Sequence, residues 1–248
     1  MNETLLLLFC AGFLASSLNA AAGGGSFVSF PALISAGVSP LIANTSSTVA
    51  LLPGSVASAW AYRPDIRPFE HVSMRVMILL TFIGGGVGAI LLLYTPAADF
   101  ETLVPWLLLT GSLAFAFGRQ MGDWLRSKFR IGPVFVLSGQ FLLGIYGGYF
   151  GGAVGIMMLA VWSVFGLTDI RRMNANRTML VALANTIAVV LFIAAGKVAW
   201  LQTCWMLAGT ILGGYYGARL TRLLPPRYLC LGITIFNFVL TAIFFIWR

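Results

Sequence analysis

Ten apolar runs separated by short clusters of charge fill almost the whole chain. They lie at roughly 3–20, 24–37, 41–62, 73–94, 103–118, 133–150, 153–167, 174–195, 199–218 and 229–247. A helix needs ~20 apolar residues to cross a bilayer, and most of these runs approach that length. A water-soluble fold would need charge to cover its surface. Here Asp, Glu, Lys and Arg supply only 9% of 248 residues, against about 25% in soluble domains. The same scarcity restricts chemistry. One histidine, His71, and seven acids exclude a His-rich metal site and an acid-rich metal cage. No metal and no cofactor is expected, and without a P-loop the chain has no ATP site. The expected class is an all-α polytopic membrane protein, with the lipid bilayer as its surroundings.

A net charge of +8 does not indicate nucleic acid, because the bases are confined to the gaps between apolar runs, where they orient a membrane protein. Cys10, Cys204 and Cys230 all lie inside apolar runs without CxxC spacing, as packing or lipid-facing thiols do. Leu5–Leu18 followed by Asn19-Ala20-Ala21-Ala22 imitates a signal peptide, but the leader Met-Asn-Glu-Thr has no base. It is therefore read as a retained first membrane segment.

Two runs, 24–37 and 153–167, are short, and charge arbitrates their topology. If neither crosses, eight crossings put nine of the fifteen bases on the cytoplasmic side. If both cross, ten crossings put thirteen of fifteen there, leaving Lys197 and Arg248 outside. The positive-inside rule favours ten crossings with both termini outside.

Shifted by about 130 residues, the chain meets itself. Gly23-Gly24-Gly25-Ser26 faces Ala153-Val154-Gly155-Ile156, and Asn44-Thr45-Ser46-Ser47-Thr48 faces Asn174-Ala175-Asn176-Arg177-Thr178. Gly85, Gly88 and Ala89 face Gly214, Gly217 and Ala218. Five segments per repeat is an odd number, so the second repeat is expected upside down relative to the first, as in many secondary transporters. The expected organisation is a first repeat over 1–118, a basic cytoplasmic linker over 119–132, and a second repeat over 133–248, with the second segment of each repeat short.

Four features carry candidate chemistry. Gly23, Gly24, Gly25 and Ser26 let the backbone turn within the membrane and start a short helix, whose free N–H groups suit an oxyanion. Close helix packing explains small residues equally well. Asn44, Thr45, Ser46, Ser47 and Thr48 offer donors to a desolvated anion, or simply bond back to i−4 carbonyls. Asn174, Asn176, Arg177 and Thr178 form the matching box. Arg177, about one turn inside its helix, is either a countercharge for substrate or a snorkelling, topology-setting base. Pro31, Pro53-Gly54, Gly84-Gly85-Gly86 and Gly213-Gly214 are hinge or packing points.

The stretch AAGGGSFVSFPALISAGVSPLIANTSSTVALLPGSVASAWAYR (21–63) resembles the first-repeat signature of the TauE/SafE-type sulfite exporter family. The stretch GIYGGYFGGAVGIMMLAVWSVFGLTDIRRMNANRTMLVALAN (144–185) resembles its second. That family often carries Lys where Arg177 stands. The resemblance implies a bacterial inner-membrane permease for sulfite, sulfoacetate or a related organosulfur anion, with its termini in the periplasm.

The function expected from these features is secondary transport, directed outward, of a small sulfur-containing oxyanion. Its only expected partners are that anion and the lipid; nucleic acid is not one, and a homodimer is compatible with the sequence. The rivals are a passive anion channel, a non-transporting assembly subunit, and an intramembrane serine protease using Ser26 or Ser55. The protease needs a base beside its serine, and His71 falls in a cytoplasmic loop.

Overall fold

The computed structural model describes residues 3–69, 72–128, 132–164 and 169–220, with isolated helical positions at 235, 238, 239 and 242. Apart from those four positions the tenth run, 229–247, lies outside the described residues, as do His71 and Cys230.

Among the described residues every regular element is helical. They are α1 (Glu3–Ala22), α2 (Ser26–Ser35), α3 (Pro40–Tyr62), α4 (Met74–Tyr94), α5 (Ala97–Lys128), α6 (Pro133–Tyr149), α7 (Val154–Val164), α8 (Ile170–Ala194) and α9 (Trp200–Leu220), with a single 3₁₀ turn at Arg63–Asp65. Each matches one apolar run. By length and hydropathy, three stretches suffice on their own to span a bilayer: Glu3–Ala21, Met74–Tyr94 and Arg171–Ala194. α3 is longer than α1 but dilutes its apolarity with the polar box at 44–48. α2 and α7, of 10 and 11 residues, reach only ~15–17 Å, about half the ~30 Å hydrocarbon core. α5 is the main departure from the runs. It continues through Lys128, so most of the basic stretch expected as a linker is the helical end of α5.

The distribution of polarity inverts that of a soluble protein. Leu79, Ile83 and Ile90 on α4 and Val190 and Ile193 on α8 are exposed, while Asn44, Thr45, Ser46, Gln140, Asn176, Arg177 and Thr210 are buried. Exposed apolar surface on this scale belongs to a protein dissolved in hydrocarbon. The buried polar groups find partners across helices. Trp162 Nε1 donates to Gln140 Oε1 at 3.1 Å, and Gln140 Nε2 donates to Thr81 Oγ1 at 2.8 Å, pinning α7 to α6 and α4.

Helix directions follow from which residues meet. The backbone of Phe9 faces Gly209, Phe13 faces Gly213 and Ser17 faces Gly217, so α1 and α9 run the same way. Thr210 donates to the Ala50 carbonyl and Ser58 to the Gly214 carbonyl, which places α3 parallel to them. In a second trio, Thr81 faces Gly144 and Gly88 faces Tyr149, while Gly85 faces Ala184, so α4, α6 and α8 share a direction. The trios oppose each other. Asn174 at the start of α8 bonds Tyr62 at the end of α3, and Thr45 at the start of α3 bonds the Lys197 carbonyl beyond the end of α8. Packing is exchanged between halves: α1 and α3 pack on α9, as α6 and α8 pack on α4.

Candidate functional site

The chain breaks twice inside the fold. Between α1 and α2, Gly23 takes φ +83°, and between α6 and α7, Gly151 takes φ +77° and Ala153 φ +60°. Glycine occupies the left-handed region at no steric cost; alanine there loses roughly 1–2 kcal/mol, and Ala153 is fully buried. The two breaks meet. A Cβ on Gly23 would lie 2.9 Å from Gly155 Cα and 2.6 Å from Arg177 Nη1, and one on Gly155 would lie 3.1 Å from Arg177 Cδ. A Cβ on Gly151 would come to 3.6 Å from Ser26 Oγ. α2 and α7 thus begin beside one another with Arg177 against both. First-turn amides have no intrahelical acceptor and carry partial positive charge, so two such ends and a guanidinium create a local surplus of donors. A small recess here is lined by Asn19, Gly23, Arg177, Thr178 and Val181.

Arg177 corrects the snorkelling expectation. α8 begins at Ile170, capped by the Asp169 carboxylate, which accepts from Arg171 N at 3.1 Å and Arg172 N at 3.2 Å. Arg177 therefore sits two turns inside, not one, and is 1% exposed. Its Nη2 donates to the carbonyls of Asn19 at 3.1 Å and Ala20 at 2.9 Å. α1 ends at this depth and offers the partially negative end of its dipole, so the charge finds its acceptors inside the protein.

The two polar boxes make matching contacts with the opposite half. Asn44 donates to the Tyr149 carbonyl at the end of α6 at 2.9 Å; Asn174 donates to the Ala20 carbonyl at the end of α1 at 3.4 Å. Ser46 Oγ accepts from Ala199 N at 2.9 Å, and Thr45 donates to the Lys197 carbonyl, both in the α8–α9 connection. Asn176 donates to the Arg67 carbonyl at 2.8 Å, and Arg172 to the Pro68 carbonyl, both in the α3–α4 connection. Thr48 and Thr178 each bond back to the carbonyl four residues earlier, at 3.0 and 2.8 Å. Ser47 meets Ser29 of α2 at 2.6 Å.

The structure thus brings Gly23, Asn174, Arg177 and Thr178 together at the first break. Asn44 abuts the chain entering the second break, and Ser47 touches α2. Thr45, Ser46 and Asn176 face the connecting loops instead. Sequence reasoning missed Asn19, a lone amide in an apolar run, and did not single out Gly151 and Gly155 as site residues. The glycine pairs Gly147-Gly148 and Gly151-Gly152 were the available signal for the second break. At Gly84, Gly85, Gly213 and Gly214 a Cβ would strike the backbone of a neighbouring helix, which is the packing role, and α3 runs unbroken through Pro53. Ser55 Oγ donates to the Leu51 carbonyl and accepts from Asn19 Nδ2. Cys10 and Cys204 are exposed to the lipid side. Among the described residues no group of three His, Cys, Asp or Glu gathers as a metal site.

A chain that turns hydrocarbon outward and keeps amides, hydroxyls and a guanidinium inside is an integral membrane protein, and its relatives carry the name of probable membrane transporters. The sequence profile described as "Sulfite exporter TauE/SafE" matches residues 8–244, and the chain belongs to that family. A "Probable membrane transporter protein" of Haemophilus influenzae is 30% identical over 97% of this chain and 94% of its own length. "Probable membrane transporter protein YfcA" of Escherichia coli K12 is 31% identical over 89% of this chain and 82% of its own. "Probable membrane transporter protein ORF9" of a Sinorhizobium species is 29% identical over 87% and 82% respectively. No solved structure matches the chain.

Proposed function

We propose that this protein is a secondary transporter moving a small sulfur-containing oxyanion, such as sulfite or an organosulfonate, out across the bacterial inner membrane by alternating access. The observation that carries this reading is the meeting of the first break, at Gly23, with Gly155 in the first turn of α7 just after the second, beside the buried Arg177. The oxyanion is held by the first-turn amides at Gly24, Gly25 and Ser26, by those of α7, and by Arg177. Support for two inverted repeats comes from the opposed helix trios and the exchanged packing, with the tenth segment assigned to the apolar run 229–247 and both termini to the periplasm. Export of an anion from a negative interior is electrically downhill by ~2.3 kcal/mol per charge per 100 mV, so this direction needs no ATP.

Carrier and channel are separated by counterflow. Liposomes preloaded with unlabelled sulfite are expected to accumulate labelled sulfite transiently and saturably. Leakage proportional to gradient, without counterflow, would establish the channel instead.

The paired loop contacts are the gates in this reading. Thr45 and Ser46 hold the α8–α9 connection on the outer side, and Asn176 holds the α3–α4 connection on the inner side. A typical hydrogen bond has a net worth of ~0.5–1.5 kcal/mol, roughly a two- to ten-fold population shift. In a background lacking the native cysteines, Val181→Cys reports access to the recess. Asn176→Leu is expected to speed its labelling by an impermeant maleimide from the inner side several-fold. Thr45→Val with Ser46→Ala is expected to do so from the outer side. Equal labelling in all three proteins removes these contacts from gating.

A further inference from the structure

The cytoplasmic ends of three helices repeat one surface device. Arg63 lies 4.2 Å over the ring of Trp60 at the end of α3, Lys128 lies 4.8 Å over Trp124 at the end of α5, and Arg219 lies 4.5 Å over Tyr215 at the end of α9. In each, the cation follows its aromatic by three or four residues, one helical turn. All three cations are exposed, as are Trp60 and Trp124. α3 and α9 are parallel, as shown above. α5 joins them: the ring of Phe100 near its start packs at a tilt against Tyr149 at the outer end of α6, and Gly111 lies against Phe27 and Ala153 at the breaks. All three pairs therefore emerge on the same face, the one that carries Arg67, Arg75, Arg171 and Arg172 in the ten-segment topology.

The opposite face has aromatics too, since Tyr94 is 86% and Trp200 51% exposed. Yet all three cation–aromatic pairs among the described residues lie on the inner face. Interfacial aromatics alone are therefore not what distinguishes that face; aromatics that fix a cation are. At Arg63 and Arg219 the ring holds the flat side of the guanidinium and leaves the N–H edge for a phosphate in bidentate geometry, and at Lys128 the ring positions a point charge. The aromatic body meanwhile sits at headgroup depth.

We infer that this rim is a binding surface for anionic phospholipid headgroups of the inner leaflet, with Trp60–Arg63, Trp124–Lys128 and Tyr215–Arg219 as three preformed phosphate clamps. Its partner is a lipid and not a soluble anion, because each clamp joins a cation to an apolar ring at the membrane boundary. The inference is independent of the transported substrate.

The test separates the rings from charge alone. Wild type and the triple variant Trp60→Leu/Trp124→Leu/Tyr215→Leu, which keeps every base, are purified and titrated with phosphatidylglycerol or phosphatidylcholine. Retained lipid is counted by native mass spectrometry, and melting is followed in parallel. Attraction of a base to an anionic surface corresponds to at most about a five-fold preference per cation, which a cation held by a ring at headgroup depth expresses in full and a freely moving side chain spreads into solvent. Wild type is expected to retain phosphatidylglycerol at least five-fold over phosphatidylcholine and to melt higher with it. The triple variant is expected to lose most of that preference, while Tyr94→Leu/Trp200→Leu on the other face keeps it. Full preference in the triple variant means that bare charge does the work and overturns the inference. Equal stabilisation by glycerol phosphate overturns it in favour of a soluble anion. Should the triple variant not fold, the single change Trp60→Leu is read by the same measurement.

Discussion

Arg177→Ala is expected to abolish the thermal shift that sulfite or an organosulfonate induces, while the ligand-free protein stays folded. The opposing terms decide the second half of that expectation. Removing the side chain forfeits two charge-assisted hydrogen bonds to Asn19 and Ala20, each worth ~1.5–3 kcal/mol. It also removes a base whose insertion into the membrane centre costs ~2.5–3.5 kcal/mol. These partly offset, so at the middle of both ranges apo stability falls by about 1.5 kcal/mol. Nothing offsets the loss for a bound anion. A desolvated countercharge contributes ~2–5 kcal/mol, more than thirty-fold in affinity. Arg177→Lys keeps a point charge and is expected to restore part of the shift. An undiminished ligand shift in Arg177→Ala would take this residue out of the site.

The largest effect on folding is expected at Gly148. A Cβ there falls on the carbonyl oxygen of Gly85, backbone against backbone between α6 and α4. Overpacking against movable side chains costs ~1–3 kcal/mol, and here no side chain can yield. Gly148→Leu should give no monodisperse protein on size exclusion, and Gly148→Ala should melt well below wild type. Within the triplet Gly84-Gly85-Gly86 the outcomes should divide. A Cβ on Gly85 would lie 2.8 Å from the Ala184 carbonyl oxygen, whereas one on Gly86 would meet only the Ile187 side chain, at 3.4 Å. Gly86→Ala is therefore tolerated, and its gain in helix propensity of ~0.8–1.0 kcal/mol can raise the melting temperature. If Gly85→Ala and Gly86→Ala behave alike, the close approach of these helices is wrong.

Helix positions were legible in the sequence because bilayer residence imposes one rule on every segment, and all nine described helices fall on apolar runs. The ends were less legible where that rule stops. α5 passes from hydrocarbon into a basic stretch without breaking, since Arg, Gln and Lys favour helix as well as leucine does. The start of α8 was misplaced because its first turn is polar: Asp169 caps it and Arg171 and Arg172 follow. That error carried over to Arg177, one turn deeper than read and buried where snorkelling was the plainer expectation. In the site, glycine runs and polar boxes stood out as local oddities. Their division of labour did not, because Ser46 meets the amide of Ala199, 153 residues away in the other half, while its neighbour Ser47 turns to α2 only 18 residues back. Arg177 and Gly23 were visible singly, but their contact is a product of the fold.

The pairing of α1 with α9 has a consequence for biogenesis. The first helix reaches the bilayer nearly two hundred residues before the surface it packs against exists. At ~5–20 residues per second of synthesis, it waits on the order of 10–40 s with Ser17, whose acceptor is the Gly213 carbonyl, facing lipid or an insertion chaperone. The same holds for α4 until α6 and α8 arrive. Neither half can mature alone, so the nascent chain remains an unassembled set of spans until α9 has been made. An early stop codon would then leave an orphan for membrane proteases, not a working half.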